Sequence, residues 1–185
     1  MYWIIGLFDK KTEVIIENIW REFKKNSIAD PAEEIRDARP HITIGSYYEL
    51  NKEEYINLFD EFYKDKPSID ISFNTIGSFM NYKTLFLSPT MTRELMNFHS
   101  EYHAYFQQFN GKANTYYLPD NWIPHCTLVN KVSDDKLTEA FSYCLKNHQT
   151  INGRIEEVAI IELVGENNNF IDAPIIYSKS LMNIK

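Results

Sequence analysis

Two segments of one form carry the residues best suited to chemistry: Pro40-His41-Ile42-Thr43-Ile44 and Pro124-His125-Cys126-Thr127-Leu128. The chain has 185 residues with 5 His and 7 Pro, and composition alone would yield one Pro-His-x-Thr roughly 0.01 times. Two matched copies are therefore a feature, not an accident. In an extended strand residues i and i+2 point the same way, so His41 shares a face with Thr43, and His125 with Thr127. Ile42, Ile44, Cys126 and Leu128 turn to the opposite face and need a core, which leaves the His/Thr faces to line a cleft. Two imidazoles on one site suit phosphodiester chemistry, one taking a proton from the nucleophile and the other protonating the leaving oxygen. The threonine hydroxyls can donate to the non-bridging oxygens as charge builds on them. That chemistry requires no metal, no cofactor and no covalent intermediate. A lone motif would read as a strand threonine beside a packed histidine; a matched pair does not.

The elements around the motifs repeat as well. Residues 3–8 read as a strand, and 11–25 as an amphipathic helix with Val14, Ile15, Ile19 (or Trp20) and Phe23 on one side. A polar loop over 26–39 leads to a strand at 41–45. A helix then follows, with Asn51 as its N-cap and Tyr55, Leu58, Phe59 and Phe62 on its apolar side. The stretch 69–79 is strand-rich and turns through Asn81-Tyr82-Lys83 into a strand at 84–87. Thr90 or Thr92 caps a helix that runs to Asn110-Gly111, a strand covers 125–129, Ser133 caps a last helix, and strands close the chain at 156–164 and 175–181. The order strand, helix, His-x-Thr strand, helix thus occurs twice, with the motif histidines 84 positions apart. The economical arrangement is one bilobal domain over residues 1–185. Its repeats, about 1–66 and 84–149, face each other across a pseudo-two-fold axis, and the remaining strands complete the sheets.

Charge limits the ligand. Lys and Arg number 19 against 26 Asp and Glu, a net charge of −7 with 44% hydrophobic residues. A disordered chain is excluded, and the balance argues against a protein that tracks a long nucleic-acid duplex, which needs many cations to displace counterions. A small nucleotide or an RNA terminus reached end-on remains compatible. Cys126 and Cys144 do not make a disulfide framework. No apolar run approaches a membrane span, so a cytoplasmic monomer without a membrane partner is expected.

At the two motifs the chain resembles the two-histidine (2H) phosphoesterase superfamily, which includes the 2′-5′ RNA ligase-like proteins and cyclic nucleotide phosphodiesterases. The resemblance spans both motifs, the repeat and the chain length. It implies an α+β fold of two pseudo-symmetric lobes, each with an antiparallel sheet and outer helices around a central cleft. It further implies metal-independent hydrolysis of a ribose phosphodiester: a 2′,3′-cyclic phosphate, a 2′-5′ linkage or a small cyclic nucleotide. His41 and His125 would then be the acid–base pair and Thr43 and Thr127 the phosphate ligands. The alternatives are RNA 2′-5′ ligation at the same site and a non-catalytic module that binds a nucleotide or an RNA terminus. Where the ligase-type branch often carries an arginine after a motif, this chain has Ser46-Tyr47 and Asn130-Lys131. Among the aromatic residues near the motifs (Tyr47, Tyr48, Tyr82, Tyr116, Tyr117 and Trp122), Trp122 and Tyr117 are the expected base-stacking residues. Arg39 and Lys131 could offset ligand charge. His99 and His103, four apart on a helix, lack a third ligand and read as an exposed helix flank, so no metal site is expected.

Overall fold

A computed structural model describes residues 1–29, 35–36, 38–167 and 170–183. Its central strand, β1 (Tyr2–Phe8), is apolar throughout because both of its faces are covered. Ile4 and Phe8 belong to the main core, while Ile5 and Leu7 join Ala159, Ile161 and Ala173 on the other side. β1 pairs antiparallel with β3 (His41–Tyr47) on one edge and with β7 (Ile151–Glu162) on the other.

β7 is the strand that joins the two lobes. Its later half also pairs with β10 (Ile175–Ser180), and its first five residues pair with β4 (Ile69–Phe79). β4 continues into antiparallel pairing with β5 (Thr84–Pro89), which pairs with β6 (Cys126–Val129). The result is an α+β fold in two similar antiparallel units, β3-β1-β7-β10 and β7-β4-β5-β6, hydrogen-bonded into one seven-stranded sheet. The sequence placed the start of β7 near residue 156; the earlier start reflects this second role. The sheet twists, so its two ends, β3 and β6, meet and pack against each other.

Each motif strand carries a bulge just after its threonine. Ile5 faces Thr43 while Ile4 faces Gly45, which leaves Ile44 as the extra residue. Phe86 faces Thr127 while Leu85 faces Val129, which leaves Leu128. A bulge bends a strand and raises its local twist, and here both bends fall at equivalent points. Ile42, Ile44, Cys126 and Leu128 are all buried in the core, as the alternation required.

Helices pack against the sheet. α1 (Lys10–Lys25) starts at Asp9, whose carboxylate accepts from Thr12 N (3.0 Å) and Thr12 Oγ1 (2.8 Å), and from Arg154 N of β7 (2.7 Å). Its buried apolar stripe is Ile16, Ile19 and Phe23. The stripe is rotated from the expected Val14 and Ile15 because the Asp9 anchor sets the helix phase. α2 (Lys52–Tyr63) buries Tyr55, Phe59 and Tyr63, and Asn51 precedes it without making a side-chain cap bond. α3 (Arg93–Tyr105) is capped by Thr92 and α4 (Asp134–Asn147) by Ser133. Past Tyr105 the expected α3 continues instead as a 3-10 helix, Gln107–Lys112. Phe23 meets Tyr143 at 5.7 Å and Phe62 meets Tyr105 at 4.8 Å, pairing α1 with α4 and α2 with α3. A small sheet, not expected from the sequence, joins β2 (Ile35–Arg36) parallel to β9 (Phe170–Asp172) and β9 to β8 (Val164–Asn167). β2 lies within the stretch expected as a loop, of which residues 30–34 and 37 are outside the described residues. No described helix is long and apolar enough to cross a membrane.

Candidate active site

The two motif histidines are held in the same way. His41 Nδ1 lies 2.7 Å from Arg39 O, and His125 Nδ1 lies 2.7 Å from Ile123 O. A carbonyl oxygen only accepts, so Nδ1 carries the hydrogen in each ring and the neutral tautomer leaves the Nε2 lone pair unprotonated. The matched bond to the carbonyl two residues upstream aims both rings by one rule.

Each ring also packs on aromatic neighbours. Trp3 lies 6.2 Å from His41, and Phe79 and Phe86 lie 4.9 and 5.3 Å from His125. Gly77 makes the second arrangement possible. It faces Phe86 across β4 and β5, and a Cβ there would lie 2.5 Å from the Phe86 ring. Phe86 therefore folds across Gly77 and presses towards His125. Burial lowers both imidazole pKa values below the usual 6.5, against the opposing pull of the carbonyl bonds; for His41, positive charge on His125 adds to the depression.

A cleft of about 520 Å³ opens beside His125 and Thr127. Its walls come from the β4–β5 turn (Phe79 to Tyr82) and from the segment between α3 and β6, which supplies Tyr116 and Tyr117. Trp3 belongs to this wall and also to a small recess that holds His41, and so connects the two. Thr43 is 6% exposed and sits behind Tyr117, whose phenol interacts with the Thr43 side chain. The structure thus brings His125, Thr127 and Tyr117 to one surface, with His41 beside it and Thr43 one layer beneath.

Trp122 requires a correction. It is 7% exposed and takes no part in the cleft wall. A buried indole N–H needs an acceptor, and Trp122 Nε1 donates to Thr43 O at 2.9 Å. Its ring lies flat on His99, with centroids 3.8 Å apart and planes 2° apart. Trp122 therefore positions β3 and does not stack on a ligand.

His99 and His103 also depart from expectation. Both are buried, at 1% and 2% exposure, because α3 turns them toward β3 and the 115–123 segment. His99 Nε2 donates to Tyr117 O (2.9 Å) and His103 Nε2 to Ile44 O (3.2 Å). Burial and the neighbouring His103 lower the His99 pKa to about 3. Among the described residues no group of three or more His, Cys, Asp or Glu could hold a metal ion.

The remaining candidates divide clearly. Tyr82 and Tyr116 line the cleft, Tyr47 is buried under Tyr102 (2.8 Å between hydroxyls), and Tyr48 is exposed outside the cleft wall. Arg39 is engaged by Glu13 (2.7 Å) and Glu157 (3.3 Å). Burial opposes charge on Glu13, yet Arg39 and Lys10 hold its carboxyl below the usual range. Lys131 is exposed and outside the wall. Burial pushes the Cys126 thiol up to about 12, so it stays an unreactive core residue. Sequence reasoning missed Trp3, Phe79 and Phe86. The same two-residue alternation could have found Trp3 and Phe86, once β1 and β5 were recognised as the neighbours of the motif strands.

Comparison with known proteins agrees with this architecture. A family model described as the 2′-5′ RNA ligase superfamily matches residues 15–167. No curated protein matches by sequence. Among solved structures, TT0787 of Thermus thermophilus superposes with a TM-score of 0.65 at 12% identity, covering 97% of each chain. A protein described as a phosphoesterase gives 0.63 at 11% identity, again over 97% of each chain. E. coli LigT complexed with 3′-AMP gives 0.61 at 12% identity, over 97% of this chain and 96% of its own. With both histidine motifs inside the matched region and the shared fold spanning nearly the whole chain, the protein belongs to the 2′-5′ RNA ligase superfamily of 2H phosphoesterases.

Proposed function

We propose that the protein is a metal-independent phosphodiesterase that hydrolyses a ribose phosphodiester with His41 and His125 as its acid–base pair. The observation that carries this reading is the matched Nδ1–H···O=C bond at 2.7 Å on each ring, which leaves both Nε2 atoms free for proton transfer. In the active form one imidazole is neutral and the other protonated. The neutral Nε2 takes a proton from water as its oxygen bonds to phosphorus. The protonated Nε2 gives its proton to the departing ribose oxygen as that P–O bond breaks. The products are a phosphomonoester and a free hydroxyl, and the pair returns to its starting state by exchanging one proton with solvent. Thr127 and, with a small shift of Tyr117, Thr43 donate hydroxyls to the non-bridging oxygens. E. coli LigT, a structural neighbour, has been crystallised with 3′-AMP, which supports a nucleotide as the ligand class here.

The test uses a panel of cyclic mononucleotides and of 2′-5′ and 3′-5′ dinucleotides. His41→Ala and His125→Ala should each lower turnover by ~10²–10⁴-fold while circular dichroism and thermal melting stay native. Activity should persist in a chelator. Full activity in either variant would overturn the mechanism, and loss of activity in the chelator would overturn its metal independence. Joining of cleaved RNA halves by the same protein would show that the site also runs in the ligation direction.

A further inference from the structure

The described residues of the cleft wall carry no fixed charge. Of the described residues that line it, none is Lys, Arg, Asp or Glu, and its only titratable side chains are His125 and tyrosines. Arg39, which lines the recess beside His41, is paired with Glu13 and Glu157, and Lys83 on the β4–β5 turn is paired with Asp134 at 2.8 Å. What the wall offers instead is flat and amide surface. Tyr82 and Tyr116, from two separate segments, are 55% and 68% exposed. Asn81, Asn114, Asn121 and Asn130 stand among them. Asn114 and Asn121 each spend one amide atom on their own loop, accepting from Tyr116 N and donating to Thr115 O. Asn130 Oδ1 accepts from Thr84 Oγ1 at 2.5 Å; a carboxamide has two donor hydrogens and an acceptor oxygen, so Asn114 and Asn121 keep hydrogen-bonding capacity for a ligand.

We propose that this cleft takes a ligand with one phosphodiester between two uncharged nucleosides, and that it discriminates against ligands bearing further phosphates. The proposal rests on the phosphodiesterase reading and names its substrate class. A single phosphate meets the imidazoles and hydroxyls. A second or third would lose water against a wall that returns no charge-assisted bond, on a protein whose net charge of −7 already repels anions. Aromatic faces accept any base, and amides can match donor and acceptor edges. The volume falls within the range of roughly 300–1,000 Å³ that buries a ligand of this size.

Binding is measured by titration calorimetry on His41→Ala, which keeps the ligand intact. The probes are the 2′-5′ and 3′-5′ adenosine dinucleotides with a free 5′-hydroxyl, the same two with a 5′-triphosphate, and a decamer of oligoadenylate. The hydroxyl forms should bind at least about tenfold more tightly than the triphosphate forms, and their affinity should vary little with salt. Tyr82→Ala and Tyr116→Ala should each weaken binding roughly 5- to 100-fold, and Asn81→Lys should narrow the gap between the two forms. Equal or tighter binding of a triphosphate form or of the decamer would overturn the proposal. A steep salt dependence, no effect of either tyrosine substitution, or no binding of the hydroxyl forms at millimolar concentration would do so as well. Turnover by the wild-type protein is scored separately. Selective binding without turnover defeats the phosphodiesterase reading and leaves this inference standing, whereas turnover that favours triphosphates defeats this inference alone.

Discussion

Replacing His99 by Gln separates a buried neutral histidine from every other acid-sensitive group in the protein. His99 is 1% exposed, stacked on Trp122 and bonded through Nε2 to Tyr117 O, and its pKa lies at about 3 against 6.5 for the free side chain. As pH falls through 6.5 the unfolded chain binds a proton here and the native state does not. Stability is therefore lost progressively from pH 6.5 down toward pH 3. Each pH unit inside that window costs about 1.4 kcal/mol, so moving from pH 7 to pH 5 removes about 2 kcal/mol. Gln cannot titrate but keeps an N–H for Tyr117 O. Urea unfolding of both proteins at pH 7, 6 and 5 gives the assay, since carboxylates and the other histidines largely cancel in the difference. Wild type should lose its advantage over His99→Gln by about 2 kcal/mol across that range. A difference that stays constant with pH would refute the reasoning, as would an imidazole proton resonance of His99 that titrates near 6.5.

Under the proposed acid–base mechanism, the depressed pKa values of His41 and His125 should set the pH dependence of activity. Both groups lose their protons below pH 6.5, so the singly protonated pair of the free enzyme is most abundant on the acid side and kcat/KM should fall as pH rises from 6.5 to 8.5. A bound phosphate favours the charged imidazole, so the kcat profile should lie at higher pH; a kcat/KM that rises with pH would contradict this. Trp122→Phe should keep the stack on His99 but remove the bond to Thr43 O. It should cost about 1–2 kcal/mol in a denaturant melt, and kcat should fall at a temperature where the variant is still folded, by up to ~10²-fold if Thr43 moves by an ångström.

How far the site could be read from the chain depended on range. The common face of His41 with Thr43, and of His125 with Thr127, was legible because alternation along a strand is local and the motif occurs twice. The cores behind them followed from Ile42, Ile44, Cys126 and Leu128 by the same rule. Trp122 and His99 were misplaced because each side chain is defined by a partner far along the chain: Thr43 lies 79 residues before Trp122. The exposed tyrosines of the cleft and the buried Tyr47 look alike in sequence, and only the packing of α2 and α3 tells them apart.

By itself the sequence determined the repeat, the strands that bear the motifs, the faces on which His and Thr lie, and a net charge of −7. These follow from local periodicity and composition, which act within a few residues or over the whole chain. Tertiary structure alone decided that β7 and β4 join the lobes into one sheet, that bulges fall at Ile44 and Leu128, and that Trp122 and His103 brace β3. It also decided that the described residues of the cleft wall carry no fixed charge. Each of these depends on which distant strand or loop lies opposite, and that is settled by shape, hydrogen-bond satisfaction and burial only once the chain has closed on itself.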